Sequence, residues 1–148
     1  MKPGVDKVLE VLAGSLMIEV APHVSPSYRQ SSVGVSAILL TMIREEWDRA
    51  ASRRAEENAA LRALFRGAAP VVTDTELRRR LEAAAACADP SLRISELDAA
   101  NDALRALLIE LHAHVEELAS PEAERIDAAI WRELVTSTER RKFALAPF

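Results

Sequence analysis

The chain has a single cysteine, Cys87, among 148 residues, which removes an internal disulfide and a thiolate cluster for zinc. A reducing compartment, and so a cytoplasmic location, is the natural expectation. Glycine is scarce. No two of the four glycines stand in a Gly-x-Gly or Walker-type spacing, so the common backbone cradles for nucleotide phosphates are missing. Histidine is equally thin: His23, His112 and His114 are too few for a hemerythrin-like centre, and none has the glutamate three residues earlier that carboxylate-bridged di-iron bundles require. Aromatic side chains make up only 4% of the residues, and strand-like alternation of polar and apolar positions is absent. No apolar run approaches the roughly 18 residues needed to cross a bilayer, since the apolar residues near Ile38 are soon followed by Arg44, Glu45 and Glu46. The first candidate for a cleaved leader, from Val8 onward, is interrupted by Glu10 and Glu19. Neither membrane insertion nor secretion is expected. An excess of positive charge is missing too: a net charge of -4 argues against nucleic acid as a partner, because non-specific affinity for it comes mainly from clustered Lys and Arg.

What is present is apolar and alanine-rich, at 49% hydrophobic and 28% charged residues, a composition that favours helix nearly throughout and a single folded domain over residues 1–148. A first helix is predicted from Val5 or Asp6 to Pro22, with Val5, Val8, Leu9, Leu12, Leu16 and Val20 on one buried face. Ser25 and Pro26 then offer a cap and a first helical position for a second helix running to Arg66. Its stripe is Val35, Leu39, Met42, Ile43, Trp47 and Ala50, resuming at Leu61, Leu64 and Phe65. At 1.5 Å per residue that helix would be about 60 Å long, so its polar middle, from Arg49 to Asn58, is expected to break, bend or reach into solvent or a second subunit. Gly67 and Pro70 supply the stop. Thr73 and Glu76 form a capping box for the third helix, with Val72 and Leu77 as its hydrophobic staple, and Asp89 and Pro90 close it. The fourth, near 95–119, carries a heptad-like seam of Leu97, Asn101, Leu104, Leu108, Leu111, Val115 and Leu118. Ser120 and Pro121 begin a fifth in which Ile126, Ile130, Leu134 and Trp131 face inward, with Phe143, Leu145 and Phe148 docking after it.

Candidate chemistry is sparse. His112 and His114 point about 200° apart on a helix and cannot share an ion, which leaves His112 and Glu116, one turn apart, short of a full ligand set. No metal and no cofactor are expected on that count. Cys87, in an alanine-rich helix end without a neighbouring histidine, reads as a small buried hydrophobe. Arg78, Arg79 and Arg80 fan around their helix toward solvent. Two sets of residues merit more weight. If Arg44 or Glu46 turned inward, Arg29, Glu19 or His23 could supply its partner, in a polar ligand pocket between the first two helices lined by Glu19, His23, Arg44, Glu46 and Trp47; the ordinary alternative is a solvated charged face with Trp47 in the core. In the seam, Asn101 with Leu104, Leu108 and Leu111 forms a candidate subunit interface, because a lone Asn among leucines fixes register and helix number. A hydrogen bond within the subunit, or a rim position, is its plainer alternative.

Val8-Leu9-Glu10-Val11-Leu12, Ile18-Glu19-Val20-Ala21-Pro22, the stretch from Val35 to Glu46 and the ending Arg141-Lys142-Phe143-Ala144-Leu145-Ala146-Pro147 resemble a small uncharacterised bacterial family of helical proteins. Members are often encoded beside acyl-CoA dehydrogenase-like and aminoglycoside-phosphotransferase-like proteins, so the resemblance implies an accessory role. It covers about half of the chain, and no site residues carry over.

The expectation is therefore an all-α antiparallel bundle of four to five helices with a long second helix. Its expected function is non-enzymatic: a homodimeric interaction or accessory protein, with a cytoplasmic enzyme as a candidate partner. The alternative is a small-molecule binder or enzyme using the pocket between the first two helices. A transcription regulator using the third and fourth helices fits the acidic balance least.

Overall fold

The computed structural model describes residues 2–144, and within them every regular element is helical. We number these α1 (Val5–Ser15), α2 (Ser27–Ala68), α3 (Thr75–Ala86), α4 (Ile94–Glu116) and α5 (Pro121–Arg141). The chain is an all-α bundle protein with a long second helix, and no helix among the described residues is long and apolar enough to cross a membrane. Among the described residues two compact units are distinguished, residues 2–50 with 143–144, and residues 51–142.

In the second unit, the C-terminal half of α2 packs with α3, α4 and α5 around Leu61, Phe65, Val72, Leu81, Leu111 and Ile130, each 0–1% exposed. Buried residues recur every three or four positions along the helices, as Leu61 and Phe65 do on α2 and Leu97, Leu104, Leu108, Leu111 and Val115 on α4 with Asn101 between, while Val72 reaches the core from the segment before α3. The ends are closed by side chains. Ser120 Oγ accepts the Ala123 amide and Pro121 fills the first position of α5, as its sequence predicts. At α3 the cap lies one residue beyond the predicted Thr73: Asp74 Oδ1 accepts the Glu76 and Leu77 amides at 2.8 and 2.9 Å. Those bonds, the Leu77 one foremost, hold the Asp74 carboxyl below its ordinary pKa. Thr73 turns elsewhere, donating its backbone N–H to His114 Nε2 at 3.2 Å. Val72 and Leu77, the predicted staple, are both buried.

Other expectations for this unit need correction. The polar middle of α2 neither breaks the helix nor faces solvent throughout, since Arg53, Glu57 and Asn58 are buried; for Glu57 and Asn58, partners on other elements make that burial tolerable. Gly67 lies inside the last turn of α2 without a left-handed backbone. Cys87 is exposed, because α3 has ended at Ala86 and the chain there leaves the core. Trp131 is 53% exposed, its ring roughly perpendicular to that of His112.

The first unit is built otherwise. α1 continues through a π turn, Leu16–Val20, and a 3-10 turn, Ala21–His23, past the predicted stop at Pro22. α2 starts at Ser27, where the Arg29 amide donates to the Pro26 carbonyl, so Pro26 precedes the helix instead of opening it. The two helices meet through small residues, Ala13 at 7% and Ala37 at 2% exposure, and the Met17 sulfur lies 4.0 Å from where a Cβ on Gly34 would stand. The face predicted as buried is not: Val5, Val8, Leu12 and Val20 on one side and Val35, Leu39, Ile43 and Trp47 on the other are all exposed. A hairpin of two helices has no third element to cover its apolar stripe. Phe143 is half-buried in this unit, and Leu145 and Phe148 lie outside the described residues.

Candidate functional site

Side-chain chemistry gathers in three places. The most buried is a polar layer in the second unit. Glu57 is 2% exposed, and its Oε1 accepts from Arg105 while Arg141 Nη2 reaches Oε1 at 3.0 Å and Oε2 at 2.9 Å. Burial pushes the Glu57 pKa up, but the hydrogen bonds and charges of Arg141 and then Arg105 outweigh it and hold the carboxyl below the ordinary glutamate range. One residue on, Asn58 donates to Asp89 Oδ1 at 2.9 Å and to the Leu97 carbonyl at 3.3 Å, and its own Oδ1 accepts from Asn101 Nδ2 at 2.9 Å. Arg62 adds a 2.8 Å bond to Asp89. Both oxygens of Glu57 and three polar positions of Asn58 are thus committed to protein partners. The layer suits register: it ties α2 to α4, to α5 and to the loop after α3, where mismatched helices would leave charge unpaired.

The second place is an open cleft of about 360 Å³ in the first unit, lined by Asp6, Thr41, Arg44, Glu45, Asp48, Arg49 and Ala144. Glu45 accepts the Ala144 amide at 2.9 and 3.0 Å and Arg49 at 3.0 Å, and Arg44 reaches Glu10 at 3.5 Å. The third is on the α4–α5 hairpin, where His112 Nε2 stands 2.8 Å from Asp127 Oδ1 and 3.6 Å from Glu116 Oε1.

Of the five residues predicted to line a ligand pocket, Arg44 alone lines this cleft. Glu19 takes a 2.8 Å bond from Ser15 one turn earlier on its own helix, His23 is exposed on the 3-10 turn, Glu46 is half-buried, and Trp47 is 59% exposed. The solvated-face reading placed Trp47 in the core, and that also fails. The seam residues Asn101, Leu104, Leu108 and Leu111 are 0–5% exposed and packed within the subunit, with Asn101 bonded to Asn58. The intrasubunit hydrogen bond weighed for Asn101 is the one observed, and this seam offers no surface to another copy.

Sequence reasoning missed Glu57, Asn58, Arg62, Asp89 and Arg105 as a group. A signal existed. Glu57, Asn58, Leu61, Arg62 and Phe65 follow one another at helical spacing, so the polar residues continue the buried stripe toward the N-terminus. Comparison with protein-family models, with curated proteins and with solved structures finds no match for the chain.

Proposed function

We propose that the protein is a non-enzymatic, homodimeric interaction protein whose working surface is the exposed apolar face of the α1–α2 hairpin. One observation carries the reading: thirteen large apolar side chains of the first unit, from Val5 to Trp47, are 39–77% exposed, while its buried apolar residues are alanines. A stable interface needs roughly 800 Å² per partner, against a few hundred for an ordinary surface patch. Val35, Leu39, Ile43 and Trp47 step every four residues down α2, which is the stripe one helix presents to another.

A second copy is the occupant that best suits this face. Two such hairpins, apolar face to apolar face, make a four-helix bundle, the smallest arrangement that covers both stripes. Charges of both signs flank the stripe, with Lys7, Glu10, Arg44 and Glu45 among them, so identical copies need not repel. In this reading the accessory role beside a cytoplasmic enzyme belongs to the dimeric assembly. The pocket alternative is weaker, because four of its five residues stay outside the cleft.

The test replaces Leu39 and Ile43 together by glutamate, at positions 51% and 53% exposed in one copy. Sedimentation velocity is expected to show the wild type as a dimer and the variant as a monomer with unchanged helical circular dichroism. A wild type that sediments as a monomer contradicts the reading.

A further inference from the structure

Among the described residues one group of three His, Cys, Asp or Glu side chains comes close enough to share a metal ion: His112, Glu116 and Asp127, whose donor atoms all lie within 4.8 Å of one another. The sequence shows only the pair on α4, one turn apart and therefore on one face. Folding adds the third donor, since the hairpin at Ser120 and Pro121 returns α5 alongside α4 and brings Asp127 to His112.

Two of the three donor separations are close to those around a coordinated ion. Bonds of roughly 2.0–2.1 Å in a tetrahedron keep donor atoms about 3.3 Å apart. The observed 2.8 Å from His112 Nε2 to Asp127 and 3.6 Å to Glu116 bracket that value, so shifts of about half an ångström or less complete these two sides. Two carboxylates converging on one imidazole nitrogen also pose an electrostatic problem. Nε2 has at most one hydrogen to offer, and only one of the two acids can receive it well. A divalent cation at the shared point serves all three donors and cancels both negative charges.

The imidazole is held for this role. Its side chain is 20% exposed, and the Trp131 ring packs against it in a T-shaped pair with centroids 5.4 Å apart and planes at 83°. The carboxylates, by contrast, reach outward, with Glu116 63% and Asp127 36% exposed. An adjoining cleft of about 480 Å³, lined in part by Glu116, Glu124 and Asp127, gives an ion a way in and leaves room for water as further ligand. Imidazole nitrogen beside carboxylate oxygen suits zinc and its borderline neighbours better than calcium or magnesium, which favour all-oxygen shells.

We infer that His112, Glu116 and Asp127 bind a borderline divalent transition-metal ion of the zinc class, with the remaining coordination positions open to solvent. Two ligands from α4 and one from α5 make the ion a clamp across this hairpin. The site lies wholly in the second unit and does not depend on the dimer.

Trp131 provides the readout. In untagged, chelator-stripped full-length protein carrying Trp47→Phe, Trp131 is the remaining tryptophan, and a paramagnetic ion a few ångströms beyond His112 quenches its emission. Titration with Co²⁺ is expected to give saturable quenching at one ion per chain, reversed by Zn²⁺. Because loss of an outer-shell partner alone weakens metal affinity roughly 10–100-fold, removing a ligand by Asp127→Asn or Glu116→Gln is expected to cost about tenfold or more. Glu116→Gln, at a largely exposed side chain, guards against a variant that merely misfolds. His23→Gln is expected to change nothing. Quenching that does not saturate, or that is the same in Glu116→Gln and Asp127→Asn as in their parent, overturns the inference and leaves only a His112–Asp127 hydrogen bond.

Discussion

The two units of this chain solve the same problem of burying helical stripes to opposite degrees. In residues 51–142, Phe65, Leu81, Leu97, Leu111 and Ile130 are 0% exposed, and even a glutamate and an asparagine are accommodated among them. In residues 1–50 the buried apolar side chains are Ala13, Ala37 and Ala50, and Ile18 is 77% exposed. Apolar content does not separate the two. What differs is the number of helices available: four segments can enclose a core, whereas two have one shared side and an open back. Amphipathic periodicity therefore states that a stripe needs cover, not whether the same chain supplies it.

Substitutions should divide along this line. The largest effect is expected for Phe65→Ala, where an aromatic side chain at 0% exposure leaves a cavity in a closed core; urea denaturation should show a loss of about 3–5 kcal/mol. Ile18→Ala, at 77% exposure, should change the monomer's stability by under about 0.5 kcal/mol in the same assay. Next comes Glu57→Gln. Breaking a buried ion pair by removing one partner costs about 3–5 kcal/mol, but Arg105 and Arg141 are 36% and 42% exposed and can regain water, so a loss of roughly 2–3 kcal/mol is expected.

The same glutamate predicts a pH dependence. Its folded pKa lies below the unfolded value, so its contribution is complete above the unfolded value of about 4.3–4.5 and fades as pH falls through the folded pKa. Asp74 has the same sign through its cap hydrogen bonds. Denaturant midpoints measured from pH 7 to pH 3 should fall on the acid side, and Glu57→Gln should flatten that fall. A smaller loss than at Glu57 is expected at the α3 cap, where Asp74→Ala removes the acceptor of two amides and should cost about 1 kcal/mol by thermal melting.

Much of the architecture was legible in the residues because it follows from local rules: the α5 start at Ser120 and Pro121, the leucine seam of α4 and the length of α2. The misplaced items share one cause. Thr73 was a sound cap candidate until His114, 41 residues away, took its amide and left Asp74 to the helix end. The polar middle from Arg49 to Asn58 was expected to break, bend or reach into solvent or a second subunit because the partners of Glu57 and Asn58, namely Arg105, Arg141 and Asp89, stand on other elements. Asn101 was visible as an anomaly, yet its meaning rested on Asn58, 43 residues earlier. For the candidate metal ligands, helix spacing revealed His112 with Glu116 and hid Asp127, which only the hairpin supplies. The open face of α1 and α2 was read as buried for the reason given above: periodicity marks the stripe and is silent about its cover.

Dimerisation through that open face is best tested by the molar mass of the untouched chain. Multi-angle light scattering across a hundredfold range of concentration is predicted to give twice the 16.2 kDa of one chain, falling toward that mass only on dilution. A constant 16.2 kDa up to high concentration would contradict the account.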